Sequence, residues 1–304
     1  VNRYLHADVL ETNPFLPLTA QEFDALREAG ATLRAALAME EIFDLLLTNY
    51  RELELSTLRF AVDDLTSPAS EYGSFFSVRS ELNRRTLNVL SAARLYLDQF
   101  PQWVKEMGID RKAIRELSNS LYDSRFEYRF MEALRNHVQH AGFAVHGVTM
   151  GSKWVPKGKR EHLETQFEPY AMKSALAQDK QFKTKVLNEC PEKISIIPAT
   201  RKYIEALSAI HREIRAKTGE AISAARRLFQ QKIEEHESQA GQRLPGLSAT
   251  AKNNGIVEER IPVFLDWDEV RISMVKKNPA FDNLSKHYIT SLYHEEKRGP
   301  LNEL

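Results

Sequence analysis

SRFEYRFMEALRNHVQHAG, residues Ser124 to Gly142, reads as one helix with both ends marked. Ser124 followed by Glu127 has the spacing of a capping box, in which each side chain satisfies a free backbone N–H near the other. Gly142 supplies a residue that tolerates positive φ just past the last turn. Phe126, Phe130, Ala133, Leu134, Val138 and Ala141 recur at helical spacing and predict one apolar stripe. The other side carries Tyr128, Glu132, Arg135, Asn136, Gln139 and His140. A plain solvated face would be expected to carry lysine; this one has none and instead gathers long planar polar groups within two turns.

The segments around this helix are mostly helical in pattern. Residues 1–18 read as an irregular lead-in ended by Pro14 and Pro17, and Thr19 with Glu22 marks a helix start near Ala20. Gly30 is a place where that helix can break. From Leu33 to Leu53 the apolar residues repeat every three to four positions, and the helix is expected to reach about Val62. A loop over 67–74 precedes a third helix opening at Ser77, with Pro101 as a kink point and Gly108 as its end. Long helices joined by short loops predict a helical bundle.

The pattern changes after Gly142, where Phe143, Val145 and Gly147 alternate with Ala144, His146 and Val148. Leu163, Thr165 and Phe167 alternate likewise, so the segment predicts a β-hairpin with the basic tip PKGKR, residues 156–160. Helix is expected again over 171–188. From Pro198 one helix of about 40 residues, or ~60 Å, is expected, with Gly219 as the place to split it. The polar, glycine-rich stretch 237–255 predicts a mobile linker, followed by a short strand at Ile261–Leu265 and a last helix from about Trp267. The fold class expected is therefore mainly α, a helical bundle with a small β-hairpin insertion and a mixed C-terminal tail. Its divisions fall at 1–142 for the bundle, 143–170 for the hairpin, 171–236 for long bundle or dimer helices, and 237–304 for the linker with the last strand and helix.

Bulk composition excludes several function classes. The chain has 304 residues, with 42 basic and 42 acidic side chains, so no global charge draws it to nucleic acid or to an anionic membrane and any such binding must be local. Cys190 is the only cysteine, which rules out an internal disulfide and predicts a reducing, cytoplasmic setting. No apolar run approaches the ~18 residues of a membrane span, and the N-terminal residues lack a charged-then-apolar signal pattern.

Arg135-Asn136-His137-Val138-Gln139-His140 carries a more specific pattern: arginine, a small polar residue, then histidine five places after the arginine, near the end of a bundle helix. This resembles the signature of the HEPN superfamily (higher eukaryotes and prokaryotes nucleotide-binding domains), and the resemblance covers roughly residues 31–142. It implies a helical bundle and a metal-independent ribonuclease, without a cofactor, of the kind found in toxin–antitoxin, phage-defence and CRISPR systems. It further implies a homodimer with facing motif helices, an antitoxin or other defence-system partner, and cleavage that leaves a 2′,3′-cyclic phosphate and a 5′-OH.

The residue types suit that chemistry. Cleavage of RNA without a metal uses the ribose 2′-OH as nucleophile. Histidine, with an ordinary pKa near ~6.5, exchanges protons at neutral pH. Arginine stays charged and offers a planar fork of donors that matches a phosphate. His140 is thus the candidate general base or acid, Arg135 the phosphate clamp, and Asn136 a group that orients the imidazole or bonds the phosphate. Five residues along a helix is a rotation of about 140°, so Arg135 and His140 do not share one line of the surface, whereas Asn136 and His140 do. Lys157, Lys159 and Arg160 at the hairpin tip are candidate RNA contacts if the hairpin turns back along the bundle.

Blander readings stand beside these. Arg135 can pair with Glu132 or a neighbouring helix, His140 can be a hydrogen-bonded structural histidine, and His137 falls within the apolar stripe as core or interface. His137, His140 and His146 lack the second well-spaced ligand pair a metal site requires. A non-catalytic nucleotide- or RNA-binding module and a helical scaffold protein are the alternatives to the enzyme.

Overall fold

The computed structural model describes residues 1–8, 13–66, 72–157 and 160–289, with backbone alone at 72, 74, 157 and 160. In chain order these form strands β1 (Asn2–Ala7) and β2 (Leu16–Pro17), then helices α1 (Ala20–Thr66), α2 (Tyr72–Glu106), α3 (Lys112–Ser124) and α4 (Phe126–His140). The hairpin β3 (Gly147–Lys157) and β4 (Arg160–Met172) follows, then short helices α5 (Lys173–Leu176) and α6 (Thr184–Glu189) and strand β5 (Lys193–Ser195). Helix α7 (Ile196–Ala240), strands β6 (Leu247–Asn253) and β7 (Ile256–Pro262) and helix α8 (Asp266–Lys277) complete the regular structure, apart from a last 3-10 turn at Leu284–Lys286. The protein is mainly helical with two small antiparallel sheets, as the periodicities predict. No helix among the described residues is long and apolar enough to cross a membrane.

The start of α1 is the capping box read from the sequence. The Thr19 N–H donates to Glu22 Oε2 at 2.9 Å, and the Glu22 N–H donates to Thr19 Oγ1 at 3.1 Å. Lys232 of α7 adds a bond to the same carboxylate, and with Thr19 it holds the Glu22 carboxyl down at about 2. Gly30 does not break α1. It is buried where the helix passes Phe229 and Ile261, and a Cβ there would sit 3.5 Å from the Phe229 ring. Helix α7 likewise runs through Gly219 unbroken for 45 residues, because the turns on either side are anchored by buried Ile214 and Ile222. Gly108, at φ +73°, ends the turn after α2 as expected.

Several features differ from the sequence reading: the last strand is Ile256–Pro262 and not Ile261–Leu265, α2 opens at Tyr72 and not Ser77, and larger differences follow. Residues 2–7 are not an irregular lead-in but a strand, paired antiparallel with β6 from Asn2↔Lys252 to Ala7↔Leu247. That pairing also orders the stretch expected to be mobile: Leu247 to Ala251 are all buried, and the sheet runs β2-β1-β6-β7. Small side chains explain the mismatch, since Ser248, Ala249, Thr250 and Ala251 look polar or neutral yet fit between strands and helix. Over 171–188 the helix is interrupted: β4 runs on to Met172, where β5 adds a third strand, and only α5 and α6 are helical. At the opening stretch Ser124 is no cap. It is the last residue of α3, and its hydroxyl donates back to the Ser120 carbonyl at 2.6 Å. Arg125, in extended conformation, is the single residue between α3 and α4.

One apolar core runs through α1, α2, α4, α7 and both sheets. Its centre holds charge. Glu40 of α1 is 1% exposed and accepts bonds from Arg215 Nε at 2.9 Å and from His211 Nε2 at 3.3 Å. The His211 Nδ1 in turn accepts from the Tyr96 hydroxyl at 3.1 Å, which fixes the tautomer, and the imidazole stacks on Phe43. Burial pushes the Glu40 carboxyl up, but the Arg215 fork and His211 outweigh it and hold it at about 2. Four groups from three helices are thereby locked in one register.

Candidate functional site

Helix α4 presents the motif because its other faces are fixed. Phe130, Met131 and Leu134 are fully buried, Arg129 donates to Glu189 of α6, and Lys202 of α7 reaches Glu127 at 2.6 Å. Glu132 accepts a short bond from the Tyr203 hydroxyl and lies 3.5 Å from Arg94 of α2. Glu132 is therefore engaged, and Arg135 does not pair with it. Arg135 Nη1 instead donates to the neighbouring Asn136 Oδ1 at 2.9 Å, and its Nε is buried with no acceptor. Among the described residues Arg135 has no carboxylate partner.

Arg135 and Asn136 line an open cleft of 520 Å³ between α2, α3 and α4. Arg94, Tyr122 and Lys183 also line it, the Lys183 ammonium donating to the Tyr122 hydroxyl at 2.7 Å. Three cations thus line the wall with one carboxylate, Glu132, which is already bonded, while Arg94 is also paired with Asp98 at 2.6 Å. A phosphate suits this wall: it can satisfy the idle guanidinium donors and would meet little opposing charge.

His140 lies outside the lining of that cleft. It is exposed on the last turn of α4. Arg135 and Asn136 thus share the cleft, while His140, which helix geometry groups with Asn136, does not line it. Register is unbroken from Gly147↔Tyr170 to Lys157↔Arg160, so the paired strands extend ~33 Å from Gly147. Lys159 and the side chains of Lys157 and Arg160 lie outside the described residues.

His137 is 4% exposed, in agreement with its place in the apolar stripe, and it carries a partner that the local sequence does not show. Its Nδ1 donates to Asp179 Oδ2 at 2.9 Å, and that bond, with the Gln181 N–H, holds the Asp179 carboxyl below the usual range. Nε2 is buried and unpartnered, facing Gly142. Gly142 is thus needed for close approach and not for positive φ, which it does not adopt. A Cβ at 142 would stand 3.0 Å from Nε2. Gly142→Ala should press on a ring that Asp179 holds from the other side and destabilise the fold by ~1–3 kcal/mol. Urea denaturation checks this, and an unchanged midpoint would show that the ring yields freely.

His146 accepts the Met172 N–H at Nδ1, and burial, then the charges of His137 and Arg79, push its pKa down. Its ring centroid is 6.4 Å from that of His137, yet no group of three or more His, Cys, Asp or Glu placed to hold a metal occurs among the described residues. Cys190 is buried with its thiol pushed up to about 11 by desolvation, which makes it a weak nucleophile.

Sequence reasoning missed Arg94, Tyr122, Lys183 and Asp179. They come from other elements, and only the packing of α2, α3 and the α5–α6 loop around α4 assembles them. No protein-family model matches the chain, and neither a curated protein nor a solved structure matches it.

Proposed function

We propose that this chain is a metal-independent endoribonuclease of the HEPN type. The observation that carries the reading is Arg135: a guanidinium with an unsatisfied buried Nε, no carboxylate partner among the described residues, and an open cleft with two further cations in front of it. In the proposed reaction His140 takes the proton of the ribose 2′-OH. The 2′ oxygen bonds to phosphorus, the P–O5′ bond breaks, and the proton is returned to the leaving 5′ oxygen. The products are a 2′,3′-cyclic phosphate and a 5′-OH. Arg135 and Asn136 hold the phosphate and its developing charge.

In one copy His140 lies outside the cleft that Arg135 lines. Two copies meeting on the solvent face of α4 would offer both residues to the same phosphate, which supports a two-fold homodimer. A toxin or phage-defence setting in the cytoplasm, with an antitoxin or defence-system partner, belongs to the same reading and comes from the resemblance. The second reading is a non-catalytic RNA-holding module, which the position of His140 outside the cleft favours.

Incubation of total RNA with the purified chain in EDTA separates the two. Cleavage is expected to persist in EDTA, with cyclic phosphate at the new 3′ ends. Loss in EDTA with rescue by Mg²⁺ would move the chemistry to a metal and retire the Arg–His mechanism. Binding of RNA without any cleavage would favour the holding module.

A further inference from the structure

A second pocket, of 330 Å³, lies where the N-terminal half of α2 passes the end of α4. We propose that it is a nucleobase subsite, taking one base of an RNA strand whose phosphate lies at Arg135. This rests on the ribonucleic acid reading given above and adds to it a place for the base.

Three observations point to a base. The lining is largely apolar: Phe76, Leu87 and Phe143 are 52%, 40% and 64% exposed, and Val138 joins them from α4. Such faces on a surface suit stacking, which accepts any base because each has a π face. The charge fits a polyanion, since the lining holds Arg79 and Arg84 and no carboxylate. Arg84 is bonded to Glu81, but Arg79 has no carboxylate partner among the described residues, and its guanidinium sits 5.7 Å from the Phe76 ring centroid. That places one cation beside the stacking surface, where a base is followed by its phosphate. Finally, the amide of Asn83 is fully used: it accepts from the Val145 N–H at 2.8 Å and donates to the Val145 carbonyl at 2.9 Å. The pocket therefore grips a base by its face, with little reading of its edge.

Position ties the pocket to the cleft. Phe76, Ser80, Asn83 and Leu87 of α2 line the pocket, while Arg94 and Leu97 of the same helix line the cleft. Leu87 and Arg94 are two turns apart, about 10 Å. On α4, Arg135 lies one turn before Val138. The pocket and the cleft thus lie along the same two helices, with Arg135 on the cleft side, and the proposed strand crosses from one to the other.

The test uses the full chain and strands that cannot be cut. Binding of a short mixed-sequence 2′-O-methyl oligonucleotide is compared with an abasic strand of equal length by fluorescence anisotropy. Wild type should prefer the strand with bases by about fivefold or more, and Phe143→Ala should erase that preference. Arg79→Gln should weaken both strands alike and reduce the salt slope by about 0.7. Phe143 is 64% exposed, so its removal spares the core, and Phe76→Ala serves as a second variant. Equal binding of the two strands by wild type, or an undiminished preference in both aromatic variants, overturns the subsite. If the chain cuts RNA in EDTA but shows no base preference, the subsite is wrong and the ribonuclease reading stands. If it shows a Phe143-dependent preference without cutting, the subsite stands without the chemistry. If Phe143→Ala instead dissociates a dimer in sedimentation and leaves strand binding unchanged, the pocket is an interface between copies and the proposal fails.

Discussion

Replacing either His140 or Arg135 with alanine is expected to abolish RNA cleavage while leaving the helical circular dichroism and the melting temperature close to wild type. Loss of a positioned general base costs about 10²–10⁴ in rate, and loss of a group that stabilises transition-state charge about 10²–10³. The fold should hardly notice. His140 is exposed and Arg135 bonds only its neighbour Asn136, so each change falls in the range of surface substitutions, within ~0.5 kcal/mol. A more discriminating form of the experiment mixes the two variants. If two copies share a site, a mixed dimer holds one site with Arg135 from one copy and His140 from the other, and activity returns. No recovery, with dimers shown to exchange, would place both residues in one copy. A variant that unfolds readily, yet whose folded fraction cuts RNA at the normal rate, would mark the residue as structural and sink the assignment.

The largest stability effect is expected at Glu40. Glu40→Ala leaves Arg215 and His211 facing an empty place in the core, and breaking a buried pair from one side costs ~3–5 kcal/mol. Urea denaturation at neutral pH measures it. The pH dependence carries a second signature. The folded Glu40 carboxyl sits at about 2, below its ordinary 4.5, so its contribution is complete above the ordinary value and is lost as pH falls toward 2. The imidazoles of His6, His146, His211 and His236 are all lowered, chiefly by burial, so their contribution is present above about 6.5 and fades on acidification. Wild type should therefore lose stability gently below about pH 6.5 and steeply below about pH 4.5, whereas Glu40→Ala should lack much of the steep limb. A midpoint within error of wild type would mean that the core ion pair contributes nothing.

The helices were legible because burial leaves a 3.6-residue imprint over dozens of positions, and Thr19 with Glu22 marked the entry to α1 correctly. The same capping spacing at Ser124 and Glu127 misled, since α3 and α4 abut with only Arg125 between them and Ser124 is still helical. β1 escaped because its long partner, β6, lies near the other end of the sequence, and β6 because its small side chains carry little hydropathy signal; the Asn254-Gly255 turn that joins β6 to β7, both residues at positive φ, was a signal the reading passed over. At the site, the divergence of Arg135 and His140 was readable from helix geometry alone, whereas the Arg135–Asn136 hydrogen bond was not. The carboxylate that holds His137 was not, since Asp179 stands 42 residues away in an irregular loop. Nor was the neutralisation of Glu132 by Tyr203 and Arg94, which leaves Arg135 without a carboxylate.

The pairing of β1 with β6 also sets a timetable. His6 and Thr250 share a side-chain hydrogen bond across 244 residues of chain. During translation at roughly 5–20 residues per second, β1 leaves the ribosome about 12–50 s before the strand it pairs with. Throughout that interval Leu5 has no sheet to enter and the edge of β1 is open to any other extended chain. Closure of the four-stranded sheet is thus a late event in the life of each new molecule, and a chaperone that shields β1 has its longest opportunity here.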